Sequence, residues 1–303
     1  MSSPLTFSTV AMLAMAPLLW AGNAIVGRLV HDLISPFTLN LLRWCLAFVV
    51  LLPLAAHVLR KNSAIWQCWK QYALLGLLGI GCYNGLLYLA LKTSSPLNVT
   101  LVSSSMPIWM LLIGRLCFGI PVSLRQALGA LLSMVGVAVV LSRGDWQVLL
   151  HLHLVPGDWF MLLATIVWSF YSWQLARSGQ TMPSQTEIRG DWAAFLMAQL
   201  VFGIGWSAML AGGEAVAGAT VLQPSWTLAA AMLFIVIGPA ILAYRFWGEG
   251  VRRAGAATAG FFANLIPLFT ALLSIPILGQ VPQIYHALAF VLIVGGIVVS
   301  SRK

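Results

Sequence analysis

The chain has 303 residues, 60% of them hydrophobic and 8% charged, and its mean hydropathy is +0.94. A soluble domain ordinarily carries about 25% charged residues, so 16 basic and seven acidic side chains are too few to clothe a water-facing surface. The composition therefore excludes a soluble enzyme and a disordered chain, and leaves a polytopic membrane protein. The net charge of +9 does not signal nucleic-acid binding, because the basic residues sit singly or in pairs between apolar runs, as orienting loop charges do.

Apolar runs bounded by charges, Pro/Gly clusters and polar stretches predict ten spans: residues 6–28, 36–57, 71–91, 96–118, 124–142, 157–177, 190–211, 225–247, 255–278 and 283–301. Each is near the length that crosses a bilayer as a helix. None alternates with period two as a barrel strand would, and backbone polar groups in lipid must be satisfied within the segment. The fold class is thus an all-α membrane protein. The first run lacks a basic region followed by a cleavage site and reads as a retained helix. Cys45, Cys68, Cys82 and Cys117 form no CxxC pair and are expected to be free thiols.

In chain order, the first span places Trp20 and Asn23 three residues apart on one face. In the second span, Arg43 near the outer end is expected to snorkel to the headgroups; binding a solute carboxylate is its alternative. The third span carries Tyr83, Asn84 and Tyr88. The fourth has Ser103, Ser104 and Ser105, with Trp109 four residues after the last, and Pro107 removes a backbone donor there. The carbonyl freed near Ser103 is expected to serve the serines or a substrate amine. Gly129, Ser133 and Gly136 in the fifth span, and Gly81 with Gly85 in the third, read as packing surfaces. The sixth span repeats the aromatic–polar face as Trp168, Tyr171 and Ser172. Pro239 and Tyr244 mark the eighth, and Asn264 with Pro267 the ninth.

Polar groups inside a membrane are expensive and mark pathways. We therefore take Trp20, Asn23, Tyr83, Asn84, Tyr88, Ser104, Ser105, Trp109, Trp168, Tyr171, Tyr244 and Asn264 as candidate substrate contacts, and Pro107, Pro239 and Pro267 as kinks. All seven acids (Asp32, Asp145, Asp158, Glu187, Asp191, Glu214 and Glu249) fall in loops or at span ends. Proton-driven pumps usually hold a carboxylate inside the membrane, so equilibration of neutral or zwitterionic solutes is expected. His151 and His153 in one loop do not make a metal site, and no metal or cofactor is expected. An intramembrane enzyme and a channel are the competing classes; neither a catalytic set nor a charged filter is visible.

With the N-terminus inside, the inner side receives Arg60, Lys61, Lys70, Arg115, Arg125, Arg177, Arg189, Arg245, Arg252, Arg253, Arg302 and Lys303, and the outer side only Arg28, Arg43, Lys92 and Arg143. Both termini are therefore expected to be cytoplasmic. An internal repeat agrees. Met106-Pro107 recurs as Ile266-Pro267, and Ala127, Leu128, Leu132, Gly136 and Val139 as Ala287, Leu288, Leu292, Gly296 and Val299, all at a shift of 160. A shift of 148 pairs Trp20 with Trp168, Trp44 with Trp192 and Leu52 with Leu200. Two five-helix halves (1–143 and 157–303) follow. An odd number of spans per half inverts the second copy and puts a site near the midplane between the halves.

These features resemble the EamA-type group of the drug/metabolite transporter superfamily. The segment Pro17-Leu18-Leu19-Trp20-Ala21-Gly22-Asn23, the Pro-containing fourth and ninth spans, and the ends Gly136-Val137-Ala138-Val139-Val140 and Gly295-Gly296-Ile297-Val298-Val299 carry the resemblance. It implies an inner-membrane exporter working by alternating access. Its aromatic lining looks most like that of aromatic amino-acid exporters. Aromatic amino acids, methionine or threonine are then the expected cargo, with drugs or other neutral metabolites as the alternative. The expected partners are that small molecule and the bilayer, the protein acting as monomer or homodimer.

Overall fold

A computed structural model describes residues 6–94, 96–151, 153–278 and 283–301. The side chains of Arg28, Tyr88 and Lys92, and the residues Arg302 and Lys303, lie outside the described residues.

The described residues form helices joined by turns and loops. The first part of the chain forms α1 (Phe7–Leu29), α2 (Pro36–Ala55), α3 (Trp69–Leu75), α4 (Tyr83–Thr93), α5 (Pro96–Ser103), α6 (Met106–Phe118), α7 (Leu124–Leu141) and the short α8 (Gln147–Leu150). There follow α9 (Pro156–Thr181), α10 (Thr186–Gly190), α11 (Trp192–Val216), α12 (Trp226–Ile235), α13 (Ala243–Ala254), α14 (Ala256–Ala263), α15 (Leu265–Leu278) and α16 (Ile284–Ser301). Among the described residues there is no strand; one isolated bridge pairs Ile34 with Leu222.

Among the described residues, eight helical segments are long and apolar enough to cross a membrane: Phe7–Gly27, Pro36–Leu59, Val99–Phe118, Leu124–Leu141, Trp192–Val216, Trp226–Ala254, Ala256–Leu273 and Ile284–Ser301. The protein is a multi-pass membrane protein. The helical stretches built from α3–α4 and from α9 fall outside those eight. Within α9, Thr165, Ser169 and Ser172 are buried within the protein. Thr165 and Ser169 donate their hydroxyls to carbonyls one turn earlier, of Met161 and Thr165, both at 2.9 Å.

Two seven-residue π-helical segments, Gly76–Cys82 and Val236–Leu242, interrupt the helices that contain them. They begin at residues 76 and 236, a spacing of 160. Helices α7 and α16, both 18 residues long, begin at 124 and 284 with the same spacing. The α5–α6 break at Ser104 and the α14–α15 break at Asn264 repeat it again. The structural irregularities thus recur at the same spacing as the sequence similarities.

Helices α7 and α16 pack on each other, and glycine sets the distance. A Cβ added to Gly129 would stand 2.6 Å from the Gly296 carbonyl oxygen, and one added to Gly296 would stand 2.6 Å from that of Gly129. Gly136 meets Ile293 and Leu292 in the same way, so the small-residue stripe is a packing surface. Gly81 and Gly85 abut Trp206 and Leu210 of α11, again as a packing pair.

Helix α2 is held at its N-terminus by α11. Glu214, 5% exposed, accepts from the Ser35 hydroxyl at 2.7 Å, the backbone N–H groups of Phe37 and Thr38 at 3.3 and 3.0 Å, and the Thr38 hydroxyl at 3.0 Å. A carboxylate there satisfies orphan helix donors and faces the positive end of the helix dipole. Asp158 at the start of α9 makes a comparable clasp, accepting from the Ser94 hydroxyl beyond α4 and from the Val155 N–H.

Candidate functional site

Seven aromatic side chains from five separate stretches converge. Trp20 comes from α1, Trp44 from α2, Tyr83 from α4, Trp168 and Tyr171 from α9, and Tyr244 and Trp247 from α13. Trp168 is at the centre. Its ring centroid lies 5.2 Å from Trp20, 4.6 Å from Tyr83, 4.9 Å from Tyr171, 5.6 Å from Tyr244 and 5.9 Å from Trp247. Trp44 joins through Tyr244 at 5.0 Å. Several pairs are edge to face, the arrangement favoured by ring quadrupoles and worth about 0.5–1.5 kcal/mol each beyond burial.

The polar tips of these rings are anchored on the π-helical segments. The Tyr244 hydroxyl and the Asn84 amide, the latter at 3.3 Å, both donate to the Gly79 carbonyl. The Trp20 N–H donates to the Pro239 carbonyl at 3.3 Å. Asn40 donates to the Ile80 carbonyl at 3.2 Å and to the Ser207 hydroxyl at 3.1 Å, while accepting from the Trp44 N–H at 3.0 Å. A π turn misaligns the helical ladder and presents carbonyls sideways; such turns are frequent at functional sites. Around the cluster, the Tyr171 hydroxyl donates to Gln199 at 2.9 Å and the Trp247 N–H to Ser172 at 3.1 Å.

Of the sequence-predicted residues, the structure brings together Trp20, Tyr83, Asn84, Trp168, Tyr171 and Tyr244, with Pro239 at their edge. Asn23, half-buried on α1, makes no hydrogen bond to a described residue. The Tyr88 side chain lies outside the described residues. The fourth and ninth spans contribute differently from expectation. Ser103, Ser104 and Ser105 turn their hydroxyls back to the carbonyls of Thr100, Leu101 and Val102 at 2.8, 2.6 and 2.6 Å. Trp109 donates to Ser105 at 3.1 Å and lies outside the ring cluster. Asn264 donates to Ser133 of α7 at 2.6 Å, and its buried Oδ1 has no partner. Pro107 and Pro267 lie in the first turns of α6 and α15, both at helix breaks.

Arg43 corrects a sequence expectation. It does not snorkel: it is 2% exposed, among the most deeply buried large side chains, and its Cζ lies 4.5 Å from the Trp44 ring centroid. Sequence reasoning also left out Trp44, Trp247, Asn40 and Gln199 from the site. The i, i+4 pairing of Asn40 with Trp44 was the available signal for two of them.

The rings fill their own centre. A cleft of about 30 Å³ runs from Tyr171, Gln199 and Tyr244 to the partly exposed Glu249 and Arg252, room for roughly one water. Glu249 pairs with Arg252 at 3.1 Å and Arg253 at 2.6 Å. Among the described residues no group of three or more His, Cys, Asp or Glu gathers as metal ligands do. The site offers aromatic faces, amide and carbonyl groups, and one buried guanidinium: equipment for holding a small solute.

Relatives of the chain point the same way. An uncharacterized transporter, YyaM, of Bacillus subtilis is 24% identical over 80% of this chain and 74% of its own length. An uncharacterized transporter of Archaeoglobus fulgidus is 23% identical over 96% of both chains. The aromatic amino acid exporter YddG of Ancylobacter novellus is 25% identical over 78% of this chain and 76% of its own. A solved crystal structure shares the fold with a TM-score of 0.72, at 22% identity over 96% of both chains. The sequence pattern of the EamA-like transporter family matches residues 7–142 and 155–302, nearly the whole length in two consecutive copies. The chain belongs to the EamA-like transporter family, within the drug/metabolite transporter superfamily.

Proposed function

We propose that this transporter exports amino acids with aromatic or similarly apolar side chains, methionine- and threonine-like solutes included, across the inner membrane by alternating access. The observation that carries the reading is the seven-ring cluster centred on Trp168, to which both halves of the chain contribute. Aromatic walls take up an apolar side chain by burial and stacking, while the Pro239 carbonyl and the Asn84 amide oxygen suit an amino group. The packed rings and narrow cleft imply that solute enters by parting them.

Ten spans in two inverted five-helix halves, 1–143 and 157–303, with both termini cytoplasmic, complete the proposal. The two matched family copies and the recurring spacing of 160 support it. Helix α9 fits as an interior span, since its Thr165, Ser169, Ser172 and Ser178 are buried against protein. The similarity to an aromatic amino acid exporter supports the cargo. Purified protein in liposomes should take up labelled phenylalanine or tryptophan at a rate that saturates with concentration. Absence of saturable flux for every apolar amino acid would reject the cargo assignment.

A further inference from the structure

A buried charge without a partner is costly, by several kcal/mol even after relaxation, and rare inside membrane spans unless functional. Arg43 is such a charge. It is 2% exposed, its Nε is wholly enclosed without a hydrogen-bond partner, and none of the described acids pairs with it. The two buried acids are committed elsewhere: Glu214 to the N-terminus of α2, and Asp158 to Ser94 and Val155. The guanidinium rests on Trp44, and Trp44 lies against Tyr244 in the ring cluster. With its Cζ 4.5 Å from the Trp44 ring centroid and its Nε without a partner, the guanidinium has N–H groups to offer an acceptor. A carboxylate matches that fork with two parallel hydrogen bonds, and arginine suits it where lysine does not.

We propose that Arg43 is the carboxylate-binding residue of the transport site and sets its preference for solutes bearing a carboxylate over their neutral esters. The inference rests on the amino-acid reading above and adds to it a residue and a selectivity. Placed beside the rings, the pair of features recognises an aromatic acid at both ends.

The test is binding of radiolabelled phenylalanine to the purified protein, competed by phenylpropionate (carboxylate, no amine) or by phenylalanine methyl ester (amine, no carboxylate). Phenylpropionate should compete at least about tenfold better than the ester, the margin expected of a charge-assisted hydrogen bond. R43Q should erase that difference by weakening the acid alone. R43K should retain part of it. Equal competition by acid and ester in the wild type overturns the inference, and this comparison decides the matter if R43Q does not fold. Equal weakening of acid and ester in R43Q also overturns it, because that pattern belongs to a structural arginine. Wild-type protein that binds no phenylalanine overturns the amino-acid reading itself, and the Arg43 assignment falls with it.

Discussion

Tyr171 links the ring cluster to its surroundings through one bond, from its hydroxyl to Gln199 at 2.9 Å; Gln199 in turn donates to the Phe195 carbonyl at 3.1 Å. Removing the hydroxyl alone strands a buried acceptor, which costs about 1–3 kcal/mol, whereas removing both partners is far milder. Y171F should therefore lower the unfolding midpoint in detergent, and Y171F/Q199L should recover part of the loss. A double variant no better than the sum of the single ones would show that the pair is not coupled. At this scale the sequence was readable where a residue type is unusual for its depth. Trp20 and Trp168 lay too deep for an interfacial belt, and they do meet. Trp247 is the last residue of the eighth expected span, so its sequence position gives no sign of depth. The π-helical segment and the continuation to Ala254 draw it inside. Arg43 was misread because its sequence position gave depth without rotation.

At the scale of the element, rotation is what an apolar helix conceals. A helix that is hydrophobic all round has no polar face to say which side meets which neighbour. Ser104, Ser105 and Asn264 stand beside proline breaks in apolar spans, a position that marks depth but not direction. The first two bond to their own helix and the third to α7. Small residues were more informative, since a glycine stripe specifies close approach wherever it lies. Gly129→Ala puts a methyl 2.6 Å from the Gly296 carbonyl oxygen, a rigid backbone atom, and should destabilise by about 1–3 kcal/mol. Gly205→Ala in α11, with nothing within 4 Å of its added Cβ, should be near neutral. Thermal melts of the two variants side by side check this. The helix clasp gives a second test. Glu214→Ala removes the buried acceptor of two backbone donors and two hydroxyls and should cost about 1–3 kcal/mol. Loosening should appear as faster amide exchange at the start of α2, and unchanged exchange there would contradict the cap.

For the whole molecule, the apolar composition and the duplicated pattern were legible in the sequence because the bilayer permits few architectures. The π-helical segments were not, although both recur at one spacing, because a π turn leaves no composition signature. In the proposed arrangement, an odd number of spans in each half inverts the second copy. A cysteine-free variant bearing single cysteines in the 60–63 loop and in the loop before α12 should accordingly react with an impermeant thiol reagent from opposite sides of the membrane. Labelling of both from one side would contradict the inverted arrangement.

The central claim is that the ring cluster is where solute is held in transit, and Trp168 is its hub. Its indole touches Trp20, Tyr83, Tyr171, Tyr244 and Trp247. The most direct measurement is saturable uptake of labelled phenylalanine into liposomes by W168A and wild-type protein at matched amounts of inserted, monodisperse protein. The account predicts that W168A falls to about a tenth of wild-type flux or less, a tenfold loss corresponding to roughly 1.4 kcal/mol of lost stabilisation. Wild-type flux in correctly inserted W168A would contradict it.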